Sequence, residues 1–264
     1  TELPADGTYY VEIADAQGQG GSAYAYRLRV GPPEPDFALR VTPASVNASA
    51  GLAVPVCVHV LRRDGFDGEI EMVLNNAPEG FVLSGGRIPA GKRSIWMTLS
   101  APARASEGPV AIQLEGRAMI GGREVRRRAL PADELMQAFL YRHLAPAGEF
   151  MVAVRGGRQG AGRVALVDNA AVQIPAGGSA EVRVKAPQPL VRRTVKLALV
   201  DPPAGLALGE MQVVPEGLAF VLTAEAGAAA GLSDNVIVEA YVERPSGKGA
   251  ARKMQRVPAG TLPA

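Results

Sequence analysis

"SVNASAGLAVPVCVHV" (residues 45–60) and "AVQIPAGGSAEVRV" (residues 171–184) are one pattern written twice: a short apolar approach, a glycine turn, then apolar residues at every second position. Val46 falls on Val172, Gly51 on Gly177, Val56 on Val182 and Val58 on Val184, each displaced by 126 positions. The match extends outward. "EIEMVLNNAPEGFVLSGGRIPAG" (69–91) runs beside "TVKLALVDPPAGLALGEMQVVPEG" (194–217), setting Ile70 on Val195, Leu74 on Leu199, Pro78 on Pro203, Gly80 on Gly205 and Pro89 on Pro215. "LSA" (99–101) meets "LTA" (222–224), and "RRRALPADELMQA" (126–138) meets "KMQRVPAGTLPA" (253–264), with Pro131 on Pro258 and Leu135 on Leu262.

A repeat of this length is a whole domain, far longer than a solenoid or propeller unit. Within each copy the apolar residues keep period two (Val54, Val56, Val58, Val60; Val110, Ile112, Leu114; Val195, Leu197, Leu199), and Gly or Pro interrupts them at short intervals. That spacing predicts antiparallel strands with one face buried and one wet. No amphipathic helix separates the strands, which argues against a parallel α/β sheet. The expected fold is all-β: two tandem antiparallel β-sandwiches over 34–145 and 146–264, with a terminal hairpin before them. One stretch competes with this pattern. "PADELMQAFLYRHL" (131–144) places Leu135, Met136, Phe139, Leu140 and His143 at helical spacing behind Asp133 and Glu134, so a short helix or helical turn stands beside the strand reading. Its counterpart carries Pro258 and Pro263, which exclude a long helix there.

Residues 1–33 are different again. "DGTYYVEIADAQGQGGSAYAYRLRVGPP" (6–33) reads as strands Tyr9–Ile13 and Tyr24–Val30 joined by a Gly-rich loop and ended by a Pro linker. A lone hairpin is marginal in water and needs a packing partner. The wording, "GTYYVEI" followed by "YRLRV", resembles the closing strands of the bacterial pre-peptidase C-terminal domain, a secreted β-sandwich. The tandem after it is similar in style to immunoglobulin-like modules of large secreted bacterial proteins. These resemblances imply an extracellular, periplasmic or cell-surface location and an accessory role beside a secreted hydrolase. They also imply that both ends are cut from a longer chain, residues 1–33 being the tail of a truncated sandwich.

Composition bounds the function. Among 264 residues, 28 are basic and 26 acidic, so no strong field recruits nucleic acid or an anionic membrane. The single cysteine, Cys57, rules out an intrachain disulfide and a cysteine-based zinc cage. No apolar run approaches a membrane span, and "TELPADGTYY" lacks the basic-then-apolar pattern of a signal peptide.

Each chemical motif has a plain structural competitor. Gly160, Gly162 and Ala165 form G-x-G-x-x-A, but a strand and turn follow where a dinucleotide site needs a helix, so a flexible loop is expected and no cofactor. "RRDGFDGEIE" (62–71) gathers Asp64, Asp67, Glu69 and Glu71; a hairpin turn is favoured over weak calcium binding by Asp64, Asp67 and Glu69. His59 and Cys57 alternate with the valines and point away from their face; His143 sits in "YRHL", and neither a G-x-S-x-G elbow nor an H-E-x-x-H motif occurs. Arg123, Arg126, Arg127 and Arg128, with Lys248, Arg252 and Lys253 in the second copy, suggest either anionic-glycan binding or a charged edge strand, the edge being favoured. Trp96, Tyr24 and Tyr26 are the candidates for sugar stacking, with core packing as the alternative, and Asn47-Ala48-Ser49 fits a glycosylation sequon. No catalytic, cofactor or metal residue is assigned. The expected function is a non-catalytic spacer or interaction module whose partner is a protein or a cell-surface glycan. A carbohydrate-binding module and a hydrolase with an interdomain site around His143 are the alternatives.

Overall fold

The computed structural model describes residues 5–137, 141–156, 165–167, 171–185, 195–246 and 253–262. Two compact units divide the chain, Thr1–Pro33 and Glu34–Ala264.

The larger unit is all-β among its described residues. A first set of strands comprises β1 (Asp36–Thr42), β2 (Ser45–Ser49), β3 (Ala53–Arg63), β4 (Ile70–Asn75), β5 (Val82–Ser84), β6 (Arg87–Ile88), β7 (Ser94–Ser100), β8 (Val110–Ile120) and β9 (Arg123–Gln137). After β10 (Tyr141–Pro146) and β11 (Phe150–Arg155) come β12 (Ala165–Leu166), β13 (Ser179–Lys185), β14 (Lys196–Val200), β15 (Leu206–Val214), β16 (Gly217–Ala224), β17 (Ile237–Ser246) and β18 (Lys253–Thr261).

The two sets share a pairing scheme. In the first, β3 lies between β1 and β7 with β5 beyond β7, while β8 lies between β4 and β9. In the second, β13 lies between β12 and β16 with β15 beyond β16, while β17 lies between β14 and β18. Register agrees as well. Ala53↔Ser100, Val56↔Met97 and Val58↔Ile95 in the first set are matched by Ser179↔Thr223, Val182↔Phe220 and Val184↔Leu218 in the second, residue for residue in the sequence alignment.

Alternation explains where the core sits. Val56, Val58 and Val60 turn inward against Leu39, Val41, Ile95, Met97, Leu99, Ile112 and Leu114, so successive residues of β3 separate into a dry and an outer face. Phe37 stacks on Phe66 with ring centroids 5.3 Å apart. A second apolar cluster gathers Val182, Val184, Phe220, Leu222, Val238 and Leu262. Gly116 of β8 faces Leu39, Ile70 and Met72 so closely that a Cβ there would collide with the Leu39 side chain.

Three expectations are revised. The helix proposed over 131–144 is absent: Ala132–Gln137 of β9 pairs antiparallel with Tyr141–Pro146 of β10, while Phe139 and Leu140 lie outside the described residues. Pro131 biases the residue before it toward extended backbone, and the hairpin gives the following amides partners that isolated helical spacing could not outbid. The strands expected over Tyr9–Ile13 and Tyr24–Val30 form no ladder; turns closed by Gly18 N–H to the Asp15 carbonyl and Tyr24 N–H to the Gly21 carbonyl are what this unit holds. Two strands without a further layer in their own unit bury too little to sustain pairing. Finally, Phe150, Val152 and Val154 are buried in the first cluster, although a division at 145 assigns them to the second copy.

That placement has a simple cause. Arg123–Arg128 of β9 pairs with β8 along Glu115–Ile120, but Phe150–Val152 of β11 pairs with β8 along Val110–Ile112. The last edge strand of the first set is therefore split, and the β9–β10 hairpin is an excursion between its halves. β11 also runs parallel to β2, from Met151↔Ser45 to Arg155↔Ser49.

Candidate functional site

The acidic stretch opens with a tight turn from β3 toward β4, two strands that pair with other neighbours rather than with each other. Asp64 and Gly65 both take positive φ, 48° and 84°, the geometry of a two-residue primed turn, with Phe66 N–H donating to the Arg63 carbonyl at 3.0 Å. Its carboxylates disperse: Asp64 accepts from the Glu34 amide at 3.1 Å, Asp67 lies 3.6 Å from Arg62, and Glu69 pairs with Arg87 at 2.7 Å. Among the described residues no group of three or more His, Cys, Asp or Glu is placed to hold a metal ion.

Two arginines of the cluster, Arg126 and Arg127, are paired with carboxylates. Arg126 pairs with Glu124 on its own strand, Arg127 reaches Asp36 at 2.9 Å, and Arg117, which faces Arg126 from β8, holds Glu115 of its own strand at 3.0 Å. Burial pushes the Asp36 carboxyl up, but the Arg127 guanidinium and the Phe37 amide outweigh it and hold the group below the usual range. Arg123–Arg128 has a ladder partner on one side only among the described residues, and Ala129–Pro131 then pairs parallel with β1. Lys248 and Arg252 lie outside the described residues, as do Gly160 and Gly162; Ala165 opens a strand rather than a helix.

The two histidines lie in different settings. His143 is exposed on β10 opposite Leu135. His59 does face away from the valines, yet it is half-buried, with Nε2 3.1 Å from the Thr42 hydroxyl. Burial lowers its basicity, partly offset by the Glu134 carboxylate. Cys57 beside it is buried, and desolvation, reinforced by the Glu134 and Asp201 carboxylates, raises its thiol to about 11. Such a thiol is protonated and inert at neutral pH. Tyr24 and Tyr26 are exposed rather than packed, while Trp96 is partly buried.

Specific contacts between the two strand sets gather near β3, β5 and β7. Asn235 donates from Nδ2 to the Gly85 carbonyl at 2.7 Å and to the Trp96 carbonyl at 2.8 Å. Lys92 pairs with Asp234 at 2.7 Å. Thr261 of β18 pairs with Ala53 of β3, Leu262 is buried, and Leu52 packs against the second apolar cluster. Arg62 braces the first set's side of this junction by donating to the carbonyls of Gly68, Pro89 and Lys92. Sequence reading passed over Leu52, Lys92, Asp234 and Asn235, and took Leu262 only as the counterpart of Leu135. Leu52, an apolar residue inside a glycine turn, was the one available signal.

No protein-family model matches the chain, and no curated protein matches it. Solved structures similar to it include two surface-protein fragments. Domains 4–9 of the surface layer protein SbsC share 13% identity over 85% of this chain, with a TM-score of 0.34, and this chain spans 31% of that one. The D00–D0 domain of intimin shares 13% identity over 86% of this chain and 98% of its own, with a TM-score of 0.28. No helix among the described residues is long and apolar enough to cross a membrane.

Proposed function

We propose that residues 34–264 are two equivalent β-sandwich modules joined into a stiff, non-catalytic spacer and interaction arm of a secreted or cell-surface protein. The first module runs through Arg155 and the second through the strands that follow. The observation that carries this reading is the junction, where the Asn235 amide, the Lys92–Asp234 pair, the Thr261↔Ala53 step and the apolar contact of Leu52 converge. A flexible pair of beads needs none of these. A location outside the cytoplasm follows from the resemblance of residues 6–33 to a secreted sandwich.

The ion pair contributes little by itself, about 0–1 kcal/mol, because both side chains keep about a quarter of their exposure. Asn235 matters more, since its loss leaves two carbonyls without a donor, at a cost of about 1–3 kcal/mol. Calorimetry tests the coupling. The unmodified chain is expected to melt in one transition, and Asn235→Ala combined with Asp234→Ala to split it into two. Two independent transitions in the unmodified chain would count against a stiff arm.

A further inference from the structure

The two strand sets part at one internal place, after Leu83 and its counterpart Leu208. In the first, the chain leaves β7 at Ser84 and crosses to β4, where Arg87 and Ile88 of β6 stand opposite Glu71 and Ile70. Gly86 permits the crossing. Its carbonyl accepts from the Met72 amide at 2.6 Å, and a Cβ on it would lie 2.7 Å from the Met72 carbonyl oxygen. The second set has Glu210 and Met211 in this stretch instead of Gly85 and Gly86, and β15 stays on β16 beyond a bulge between Leu208 and Met211. β14, the counterpart of β4, then has β17 as its one ladder partner among the described residues. Burial follows: Ile88 and Met72 are 0% and 4% exposed, closing the first sandwich along β4. In the second, Leu197, the counterpart of Met72, is only partly buried, as are Leu199, Leu206, Leu208 and Met211, and Val213 is 61% exposed.

We propose that this apolar margin along β14 binds an extended segment of another polypeptide, antiparallel to β14, that brings an aliphatic side chain to Val195 and a carboxylate to Lys196. The first sandwich sets the aliphatic requirement, since Ile88 fills the equivalent place against Ile70. Charge sets the other. Arg87 is the residue opposite Glu71, and Lys196 stands where Glu71 does, so the complement changes sign. Lys196 pairs with Glu243 at 2.7 Å yet keeps about half of its side-chain exposure, and an ammonium has further donors to offer. Main-chain ladder bonds give such strand addition its affinity, and the places for alternate side chains give it selectivity. This inference names the partner of the interaction arm and rests on the equivalence of its two sandwiches.

The probe is a fluorescent peptide with the sequence of residues 82–91 carrying Arg87→Glu, titrated into the full chain and followed by anisotropy. Saturable binding is expected. A peptide that keeps Arg87, and one that adds Ile88→Asp to Arg87→Glu, are expected to bind at least about tenfold more weakly, through like charge and lost apolar contact. In the Lys196→Glu chain the order of the Arg87 and Arg87→Glu peptides is expected to reverse. Lys196→Gln, which places no new charge beside Glu243, is expected to bring the two peptides within about threefold of each other, even where Lys196→Glu lowers the Tm. Absence of saturable binding, equal binding of the two peptides by the unmodified chain, or an unchanged preference in the Lys196→Gln chain each overturns the proposal. So does a concentration-dependent dimer in sedimentation that the peptide fails to compete away, which would put a second copy on β14. Separate melting of the two modules would refute the stiff arm and leave the peptide result standing, so the two failures are distinguishable.

Discussion

Gly116 shows how tightly a single position is constrained. Any Cβ there meets Leu39, Ile70 and Met72 in the middle of the first core, where interiors are packed to crystal-like density. Gly116→Ala is expected to lower unfolding stability by about 1–3 kcal/mol in urea melts, the usual cost of forcing a methyl into a filled core. His59 sets a pH dependence. Its folded pKa is depressed, so the neutral ring is the form that the fold prefers, and the stability it contributes is present above the unfolded value near ~6.5 and lost as pH falls below it. Chemical denaturation at pH 7.5 and 5.0 is expected to show a smaller loss for His59→Gln than for the unmodified chain. Glu134, the carboxylate facing His59, limits the effect by favouring the charged ring. Asp36 behaves in the same sense at lower pH, its stabilisation by Arg127 disappearing as the carboxylate protonates.

Among elements, the split last strand of the first sandwich separates packing from decoration. Phe150 of β11 is fully buried, and Phe150→Ala is expected to cost about 3–5 kcal/mol. Leu135 and Met136 of the excursion are more than half exposed, and Leu135→Ser or Met136→Ser is expected to change stability by no more than about 0.5 kcal/mol in the same melts. This contrast also marks what was legible beforehand. The alternation of Val54 to Val60 and Val110 to Leu114 names strands and their buried faces correctly, because a period of two leaves one side of each strand apolar. The excursion was not legible: Leu135, Met136 and His143 sit at spacings that suit a helix, and which pattern wins depends on the antiparallel partner at Tyr141–Pro146. β11 was misassigned for a related reason. "FMVAVR" announces a strand but not its neighbours, and β2, the neighbour it runs parallel to, lies about a hundred residues away.

At the scale of the whole molecule, the repeat was readable because residues that pair in one sandwich have counterparts that pair in the other, as Val56↔Met97 and Val182↔Phe220 do. The junction was not, since a donor such as Asn235 is chosen by carbonyls of Gly85 and Trp96 that only folding brings near. The candidate sites read from sequence fare similarly: Asp64, Asp67 and Glu69 are close in the chain but engage three different partners, and Arg126 and Arg127 of β9 pair with Glu124 and Asp36. The account therefore stands on stiffness between two repeated modules. Pulsed electron–electron spin resonance between labels at Arg104→Cys and Glu216→Cys, in a Cys57→Ser background, measures it directly. The account predicts one narrow distance distribution that broadens when Asn235→Ala is added; a distribution already broad in the parent, and unchanged by Asn235→Ala, would contradict it.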